Sequence, residues 1–364
     1  FEIPRPEGLE FDFFDFQKSN VQAIVEEGKN ALIADDMGLG KALSVDTPVL
    51  TPEGWVPIGE IEVGDLVIGS AGTPVRVIGA YPQGELDLFE VTFTDGVSVK
   101  CCDEHLWAVS SMKAGSDEPL KEILPLSAIR SDLTHQDGSP RYRIPLIEPV
   151  RFGPRKLGSP YAMGSPYATG FIAASDGRSR PRFMRANIPG EYLLGSEAQR
   201  LDLLRGLMDA KGKVGNDGCI SFSSYSRGVA DSVMSVVRSL GGTASVKKDL
   251  RPSRMTLYTI SILLPKGVRP FYIERKHKAY ERAARAPFRE IVSVTPVGRG
   301  EAKCIAVDSP DRLFATEGFV LTHNTVQAIA VLTMRPDLKR GVIFCKANMK
   351  DKWKREVEKW LARD

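Results

Sequence analysis

The sequence predicts a nested fold: a mainly β domain is interrupted by a basic α+β domain and carries a short α/β fragment at each end. Three observations predict this arrangement. A Gly-rich phosphate-binding loop breaks off after Lys41, and the hydroxyl residue that should complete it occurs at Thr325. Short alternating β segments with Gly, Pro and Asp-Gly turns occupy residues 42–150 and return at 288–324. Between them lie helical patterns with a large excess of positive charge.

The stretch "ALIADDMGLGK" joins an apolar strand to a Gly-rich loop. Such a loop presents backbone N–H groups to phosphates and closes with Lys and then Ser or Thr, whose hydroxyl reaches Mg²⁺. Here Ala42 follows Lys41, whereas "TVQAIAVL" begins at Thr325. Removing residues 42–324 would give "ADDMGLGKTVQAIAVL", an uninterrupted strand, loop and amphipathic helix. We therefore expect the 283 intervening residues to interrupt a nucleotide-binding site.

Composition indicates an ordinary globular chain. Its 364 residues allow two or three domains, and 42% hydrophobic residues can fill real cores. The five cysteines are irregularly spaced, which argues against a disulfide framework or a zinc ribbon. No window approaches a membrane span, and the opening "FEIPRPEGLEF" lacks the layout of a signal peptide. We expect a cytoplasmic protein without a membrane partner.

The net charge of +3 conceals a division between parts of the chain. Residues 151–290 contain 25 Lys/Arg against 11 Asp/Glu, a balance of +14, whereas the remainder carries 24 against 35, or −11. A basic domain inside an acidic chain commonly faces a polyanion. The pattern predicts that this middle segment contacts nucleic acid.

Both ends of the 283-residue segment carry groups suited to peptide-bond exchange. At the far end, the side-chain nitrogen of Asn324 can attack its own main-chain carbonyl and release the peptide that begins at Thr325, with His323 assisting by proton transfer. At the near end the scissile carbonyl belongs to Lys41, and Ala42 has no nucleophilic side chain. Either this junction is inactive, or its attacker comes from elsewhere in the chain.

Three blocks of residues 42–324 resemble an intein, the self-splicing insert of the hedgehog/intein (HINT) fold. The blocks are "TPVLTPEGWVPIGEIEVGD", "VKCCDEHLWAV" and "KCIAVDSPDRLFATEGFVLTHN". More narrowly, the sequence resembles a class 3 intein, which lacks a nucleophile at its first residue and shows a linked Trp, Cys and Thr set. The matching residues are Trp107, Cys304 and Thr325.

The resemblance implies a single-turnover, autocatalytic reaction that needs no cofactor. Cys304 would attack the Lys41 carbonyl, and His105 would protonate the departing nitrogen of Ala42. Cys102 stands three residues before His105, where inteins commonly have Thr, so polarisation of the scissile peptide there departs from the family pattern.

The later steps implied by the resemblance use the other end of the segment. Thr325 Oγ would take the acyl group, and Asn324 would cyclise with the help of His323. The freed ester would rearrange to an amide between Lys41 and Thr325. Trp107 would pack around the pocket of the nucleophile.

Two stretches of the basic segment resemble the paired helices of LAGLIDADG homing endonucleases: "YATGFIAASDG" and "LLRGLMDAKG". In that family each helix ends in an acid that holds a divalent metal such as Mg²⁺ at the cleaved phosphate. Asp176 fills that role in the first motif. The second has Lys211 at the expected acid, and Asp209 lies a half-turn earlier. The resemblance implies a DNA-binding domain over residues 151–287 with weakened, nicking or absent cleavage; the alternative is a pair of core helices without any DNA function.

Residues 1–41 and 325–364 resemble pieces of Swi/Snf-type superfamily-two helicase-like ATPases. After splicing, ATP and Mg²⁺ would bind at residues from both pieces. These residues are Gln17, Asp36, Gly38, Gly40, Lys41 and Thr325.

Two further interpretations stay open at the level of sequence. The segment could be a class 1 intein whose first cysteine is replaced by Ala42, giving a blocked precursor. Alternatively, the chain could be a DNA-binding ATPase with a structural insertion that is never removed. For the splicing interpretation we expect a monomer, because splicing is intramolecular.

Overall fold

The structure is a computed structural model. It describes residues 42–112, 119–155, 165–174, 188–215, 219–250, 255–282 and 285–323. The predicted ATPase fragments, 1–41 and 325–364, lie outside these residues. So do Asn324 and Asp176.

The described elements are mainly strands, which confirms the mainly β prediction. In chain order the strands are β1 (Leu43–Ser44), β2 (Pro48–Thr51), β3 (Gly54–Pro57), β4 (Leu66–Ile68), β5 (Pro74–Phe93), β6 (Ser98–Cys102), β7 (Leu106–Met112), β8 (Pro119–Pro125), β9 (Arg143–Ile144), β10 (Lys213–Val214), β11 (Ile220–Ser224), β12 (Thr243–Leu250), β13 (Thr256–Leu263), β14 (Arg289–Val307), β15 (Leu313–Thr316) and β16 (Val320–His323). The helices are α1 (Leu126–Ser131), α2 (Pro166–Ala174), α3 (Gly190–Leu193), α4 (Glu197–Lys211), α5 (Arg227–Ser239) and α6 (Glu274–Glu281).

The first body of the chain is a β domain made from two distant segments. Its large sheet has the order β4-β5-β6-β1-β14-β9-β7-β8, and an additional pairing of β5 with β14 closes β5, β6, β1 and β14 into a ring. A second sheet has the order β16-β15-β2-β3. Because β14, β15 and β16 come from the end of the segment, neither sheet is complete without both halves of the chain.

Alternating side chains of these strands fill the interior of the β domain. In β6, Val99 and Cys101 point into the core while Ser98 and Lys100 are half-buried, as the two-residue period of a strand requires. The short helix α1 was not predicted from the β texture of this region, although Leu126 and its partners on that helix belong to the same core.

The second body is α+β. A four-stranded antiparallel sheet of order β10-β11-β13-β12 packs against helices, and its core draws on residues 173–280. Helix α5 presents Val229, Val233 and Val237 at four-residue spacing to that core. The helical patterns predicted at 167–177, 196–212 and 229–241 correspond to α2, α4 and α5. No helix in the described ranges is both long enough and apolar enough to cross a membrane.

Helices α2 and α4 approach each other through glycine. A Cβ added at Gly170 would lie 2.2 Å from the carbonyl oxygen of Leu203, and one added at Gly206 would lie 2.0 Å from that of Tyr167. Adding 36 to Tyr167 and Gly170 gives Leu203 and Gly206, so the two approaches are related by one constant shift. The helices therefore make a pseudo-symmetric contact that only residues without a side chain allow.

We predict that Gly206→Ala destabilises the second body by about 1–3 kcal/mol or more, because the new methyl group must displace backbone on α2. Urea unfolding followed by circular dichroism measures the effect. Gly190→Ala is the matched control, since no atom lies within 4 Å of its added Cβ. Equal unfolding free energies for the two variants would contradict the close approach.

Candidate active site

Ala42 begins the described chain and faces Cys304 on the neighbouring strand. The antiparallel register of β1 with β14 pairs Leu43 with Lys303. One residue further along, the same register brings Ala42 opposite Cys304, and directly opposite residues project to the same face of a sheet. Both residues are buried: Ala42 is fully buried and Cys304 is 3% exposed. The sulfur that was predicted to attack at 41/42 therefore belongs to the strand beside that junction.

Cys102 approaches Ala42 from the other side. Strand β1 also pairs with β6, and the Cys102 backbone N–H donates to the Ala42 carbonyl oxygen at 3.1 Å. Ala42 and Cys102 form a small buried cluster with Leu88 and Ala302, so each strand of the closed ring contributes to it. The start of the segment is thus held inside the ring with a cysteine on each flanking strand.

Burial decides the protonation state of the cysteines in β6. Desolvation raises the pKa of Cys102 above its usual value, although a backbone hydrogen bond from Ala42 acts in the opposite direction. The pKa of Cys101, which lies in the domain core, is raised further by the same cause. Both side chains are therefore neutral thiols at neutral pH. A neutral thiol at Cys102 can donate a hydrogen bond or a proton but is a poor nucleophile.

His105 connects the β6–β7 turn to the last strand of the segment. Its backbone N–H donates to the Cys102 carbonyl oxygen at 3.1 Å, which closes the turn. Its ring Nε2 shares a hydrogen bond with the hydroxyl of Thr322, and the tautomer of the ring sets which group donates. Both side chains are buried. His323 follows directly in β16 and is buried opposite Leu313.

Trp107 supports this histidine. It is fully buried in the core of the β domain, with its ring 5.3 Å from that of His105 and 5.7 Å from that of Phe93, both in edge contacts. The sequence placed Trp107 around Cys304. These ring contacts associate it with His105, and its packing around Cys304 stays a prediction.

Several predicted site residues lie outside the described part of the chain. The structure places Ala42, Cys102 and Cys304 on neighbouring strands. It joins His105, backed by Trp107, to Thr322, the residue before His323. It says nothing of the remaining splicing, metal and nucleotide residues. These are Lys41, Asn324, Thr325, Asp176, Gln17, Asp36, Gly38 and Gly40.

Asp209, one of the two described residues of the predicted endonuclease site, binds protein groups rather than lining an open metal position. The buried Asp209 carboxylate accepts hydrogen bonds from the Tyr167 hydroxyl at 3.0 Å and from the backbone N–H groups of Tyr272 and Ile273 at 3.1 and 3.2 Å. Asp209 therefore anchors the start of α6. Lys211 is the last residue of α4 and is half-buried. Within the described ranges, no group of three His, Cys, Asp or Glu residues could hold a metal ion.

Thr322 was missed by the sequence reasoning. A signal for it did exist: a hydroxyl residue occurs in the apolar run "FVLTHN", directly before the motif histidine. A buried hydroxyl needs a partner, so a second polar side chain had to meet it in the core. Nothing in the sequence identified that partner as His105, which is 217 residues away.

Comparison with known proteins places these features in context. No family model matches the chain. It is 28% identical over 361 residues to a replicative DNA helicase DnaB of Mycobacterium intracellulare, covering 83% of this chain and 61% of that protein. A replicative DNA helicase DnaB of Mycobacterium leprae (strain TN) is 36% identical over 87 residues, or 23% of this chain and 14% of that protein. The chain thus spans less than two thirds of the curated relatives it matches.

Among solved structures, the chain is similar to the MchDnaB-1 intein, with 15% identity, a TM-score of 0.31, and coverage of 78% of this chain and 100% of that one. A DnaB intein from Synechocystis sp. PCC 6803 shows 9% identity and a TM-score of 0.30, with 78% and 99% covered. TM-scores of this size do not establish a shared fold. The strand register and the contacts given above therefore define the site.

We predict that Thr322→Val lowers the free energy of unfolding by about 1–3 kcal/mol, because it leaves a buried ring nitrogen of His105 without its hydroxyl partner. Nitrogen NMR of the histidine ring should report a change of tautomer. Thr322→Ser keeps the hydroxyl and should preserve the tautomer. The control is Thr316→Val, which removes a buried hydroxyl that donates to the Val320 carbonyl oxygen in the same hairpin. If the histidine ring signal changes in this variant as well, that result would contradict a specific contact between His105 and Thr322.

Proposed function

We propose that residues 42–324 excise themselves from the chain by protein splicing and join Lys41 to Thr325. One observation carries the proposal: the two ends of the 283-residue segment converge on the same few strands. Ala42 bonds to Cys102, the turn after Cys102 carries His105, and His105 bonds to Thr322 beside the far junction. The solved structures named above as similar to the chain are described as inteins, and that description agrees with the proposed function.

The first step is attack of the Cys304 sulfur on the Lys41 carbonyl, which is the class 3 mechanism. Support comes from the register that sets Cys304 across from Ala42, the residue whose amide is the leaving group. Breaking the amide forms a thioester on Cys304 and needs a proton for the nitrogen of Ala42. His105 supplies it from the turn that follows Cys102.

The remaining steps use the far end of the segment. Thr325 takes the acyl group from the thioester, and Asn324 cyclises with proton transfer by His323. Burial of His323 in β16 supports this role, since a fixed imidazole is a better general acid or base than a mobile one. The ester between Lys41 and Thr325 then rearranges to an amide.

Mass spectrometry of the purified chain tests the proposal. We predict a ligated product of residues 1–41 and 325–364 together with a free segment of 283 residues, and we predict that Cys304→Ala abolishes cleavage at Lys41. Cys219→Ala is the control, because that cysteine lies in the sheet of the second body. A parent that never cleaves at Lys41 supports a class 1 precursor blocked by Ala42. A chain that never cleaves at either junction supports the non-processing insertion.

We propose as a second function that residues 151–287 bind double-stranded DNA. The outer face of the sheet β10-β11-β13-β12 supports it: Lys213 pairs with Ser221, and Lys247 with Thr259, on the side opposite the core. Ser223 adds a further hydroxyl there. Ammonium and hydroxyl groups on this face suit phosphate oxygens.

Cleavage by this domain is proposed to be weakened, nicking or absent. The second motif has Lys211 where the first has its acid, Asp176, so the two motifs do not both carry an acid at that position. A Mg²⁺ ion at Asp176 would lack an equivalent second acid. A cut through both strands needs both positions.

The host is proposed to be a helicase-like ATPase that binds ATP and Mg²⁺ only after splicing restores its loop. The replicative DnaB helicases matched by sequence support a helicase host. The motif "DMGLGK" followed by "TVQAIA" supports the Swi/Snf-type group. We propose a monomer, because every splicing step is intramolecular. We also propose that the protein is cytoplasmic.

We predict that Lys213→Glu combined with Lys247→Glu weakens binding to a duplex of arbitrary sequence and reduces the salt dependence by about two phosphate contacts. Fluorescence anisotropy at several salt concentrations measures both quantities. The control is Arg275→Glu with Lys278→Glu, which makes the same charge change at exposed positions on α6. An equal loss in the two double variants would indicate attraction by net charge and not by the sheet face.

A further inference from the structure

A buried ionic cluster joins the two bodies of the chain. Asp95, in the turn between β5 and β6, accepts hydrogen bonds from Arg289 at 3.2 and 2.7 Å. The side chains of Asp95 and Arg289 are only 4% and 1% exposed. A second guanidinium, that of Arg238 on α5, lies 3.3 Å from the same carboxylate oxygen and donates to the Asp95 carbonyl oxygen at 3.2 Å. One carboxylate of the β domain therefore faces two cations, one of which comes from the second body.

Arg289 in turn holds the turn that precedes β16. It donates to the carbonyl oxygens of Gly318 at 2.9 Å and Phe319 at 3.1 Å. Both residues have left-handed backbone, with φ of 64° and 61°, which is unfavourable for Phe319. Such a turn persists only when its surroundings fix it. The next four residues form β16 and end at His323.

The end of α5 that carries Arg238 is itself fixed to the β domain. Arg200 of α4 is fully buried and donates to the Ser239 carbonyl oxygen at 2.8 Å and to that of Val150. The backbone N–H of Val150 also donates to Ser239, at 2.9 Å. Because Val150 belongs to the chain that leaves the β domain, Arg238 reaches Asp95 from a rigid support.

We propose that Arg238, supplied by the second body, is a positioning residue for the far junction of the splicing segment. Its contact with Asp95 fixes Arg289, Arg289 fixes the turn at Gly318 and Phe319, and the turn sets the position of His323. This inference rests on the proposed splicing function. The second body is then part of the splicing machinery and not an independent passenger.

The charge balance explains why the contact is needed. A carboxylate and two guanidinium groups share one buried site, so each cation is stabilised chiefly by Asp95 and by the carbonyl oxygens around it. Burial lowers the pKa of Arg238, while Asp95 opposes that effect. Without Arg238, the Asp95 carboxylate would keep Arg289 and the backbone N–H of Val97 as partners but would lose its contact with the second body.

The test separates the two junctions in the full chain. An Asn324→Ala background blocks cyclisation, so thiol-induced cleavage at Lys41 reports the near junction. A Cys304→Ala background reports release at Asn324 alone. We expect Arg238→Met to slow release at Asn324 about 10-fold while cleavage at Lys41 changes by less than about 2-fold. Arg238→Lys keeps a cation near Asp95 and should restore most of the rate.

Arg227→Met is the matched control, because Arg227 lies on the same helix and its ion pair with Asp231 is exposed. Equal rates for Arg238→Met and Arg227→Met would overturn the proposal, and so would equal slowing at both junctions. Hydrogen exchange of the β16 amides gives a readout independent of splicing: faster exchange in Arg238→Met is expected, and unchanged exchange overturns the proposal. A parent that folds but never splices would overturn the proposed function while this exchange measurement still decides the role of Arg238.

Discussion

The structure depends on the antiparallel pairing of β14 with β5 and β1. These strands come from opposite ends of the segment, and the pairing between β5 and β14 runs from Val77 opposite Val307 to Phe93 opposite Ile291. Long-range pairing of this kind must overcome the entropy of closing the intervening chain. The second body reduces the entropy cost of closing this loop, because it has its own core and leads the chain back to the β domain at Arg289, near the turn that contains Asp95.

The register of that pairing fixes the chemistry of the candidate site. A slip of one residue would turn every side chain of β14 to the other face and would take Cys304 away from Ala42. The bulges along β5 and β14 bend these long strands until the ring of β5, β6, β1 and β14 closes. Ala42 then enters between β6 and β14, in a buried cluster with Cys102 and Leu88.

Local sequence patterns predicted the parts of the fold that depend on local physics. Helices α4 and α5 followed from their apolar patterns, and the mainly β class from short alternating segments with turn residues. The structure adds that Ser196 and Gln199 cap each other at the start of α4. The motifs also identified Cys304, His105 and His323. The contact of His105 with Thr322 could not be predicted, because it joins residues 217 apart whose partnership depends on the sheet. The sequence placed Asp209 a half-turn before the expected acid, and only the fold shows the backbone N–H groups that donate to its carboxylate.

The ionic cluster at Asp95 couples the position of the second body to that of the β domain. An apolar contact between domains tolerates sliding, whereas a buried carboxylate with two guanidinium groups has few alternative arrangements of equal energy. Arg289 uses its remaining donors on Gly318 and Phe319, so a shift of Asp95 changes the left-handed turn as well as the domain contact. The turn leads without a break into β16, and β16 carries both Thr322 and His323. A displacement of the second body is therefore connected through buried polar contacts to this turn, and through the backbone of β16 to His323.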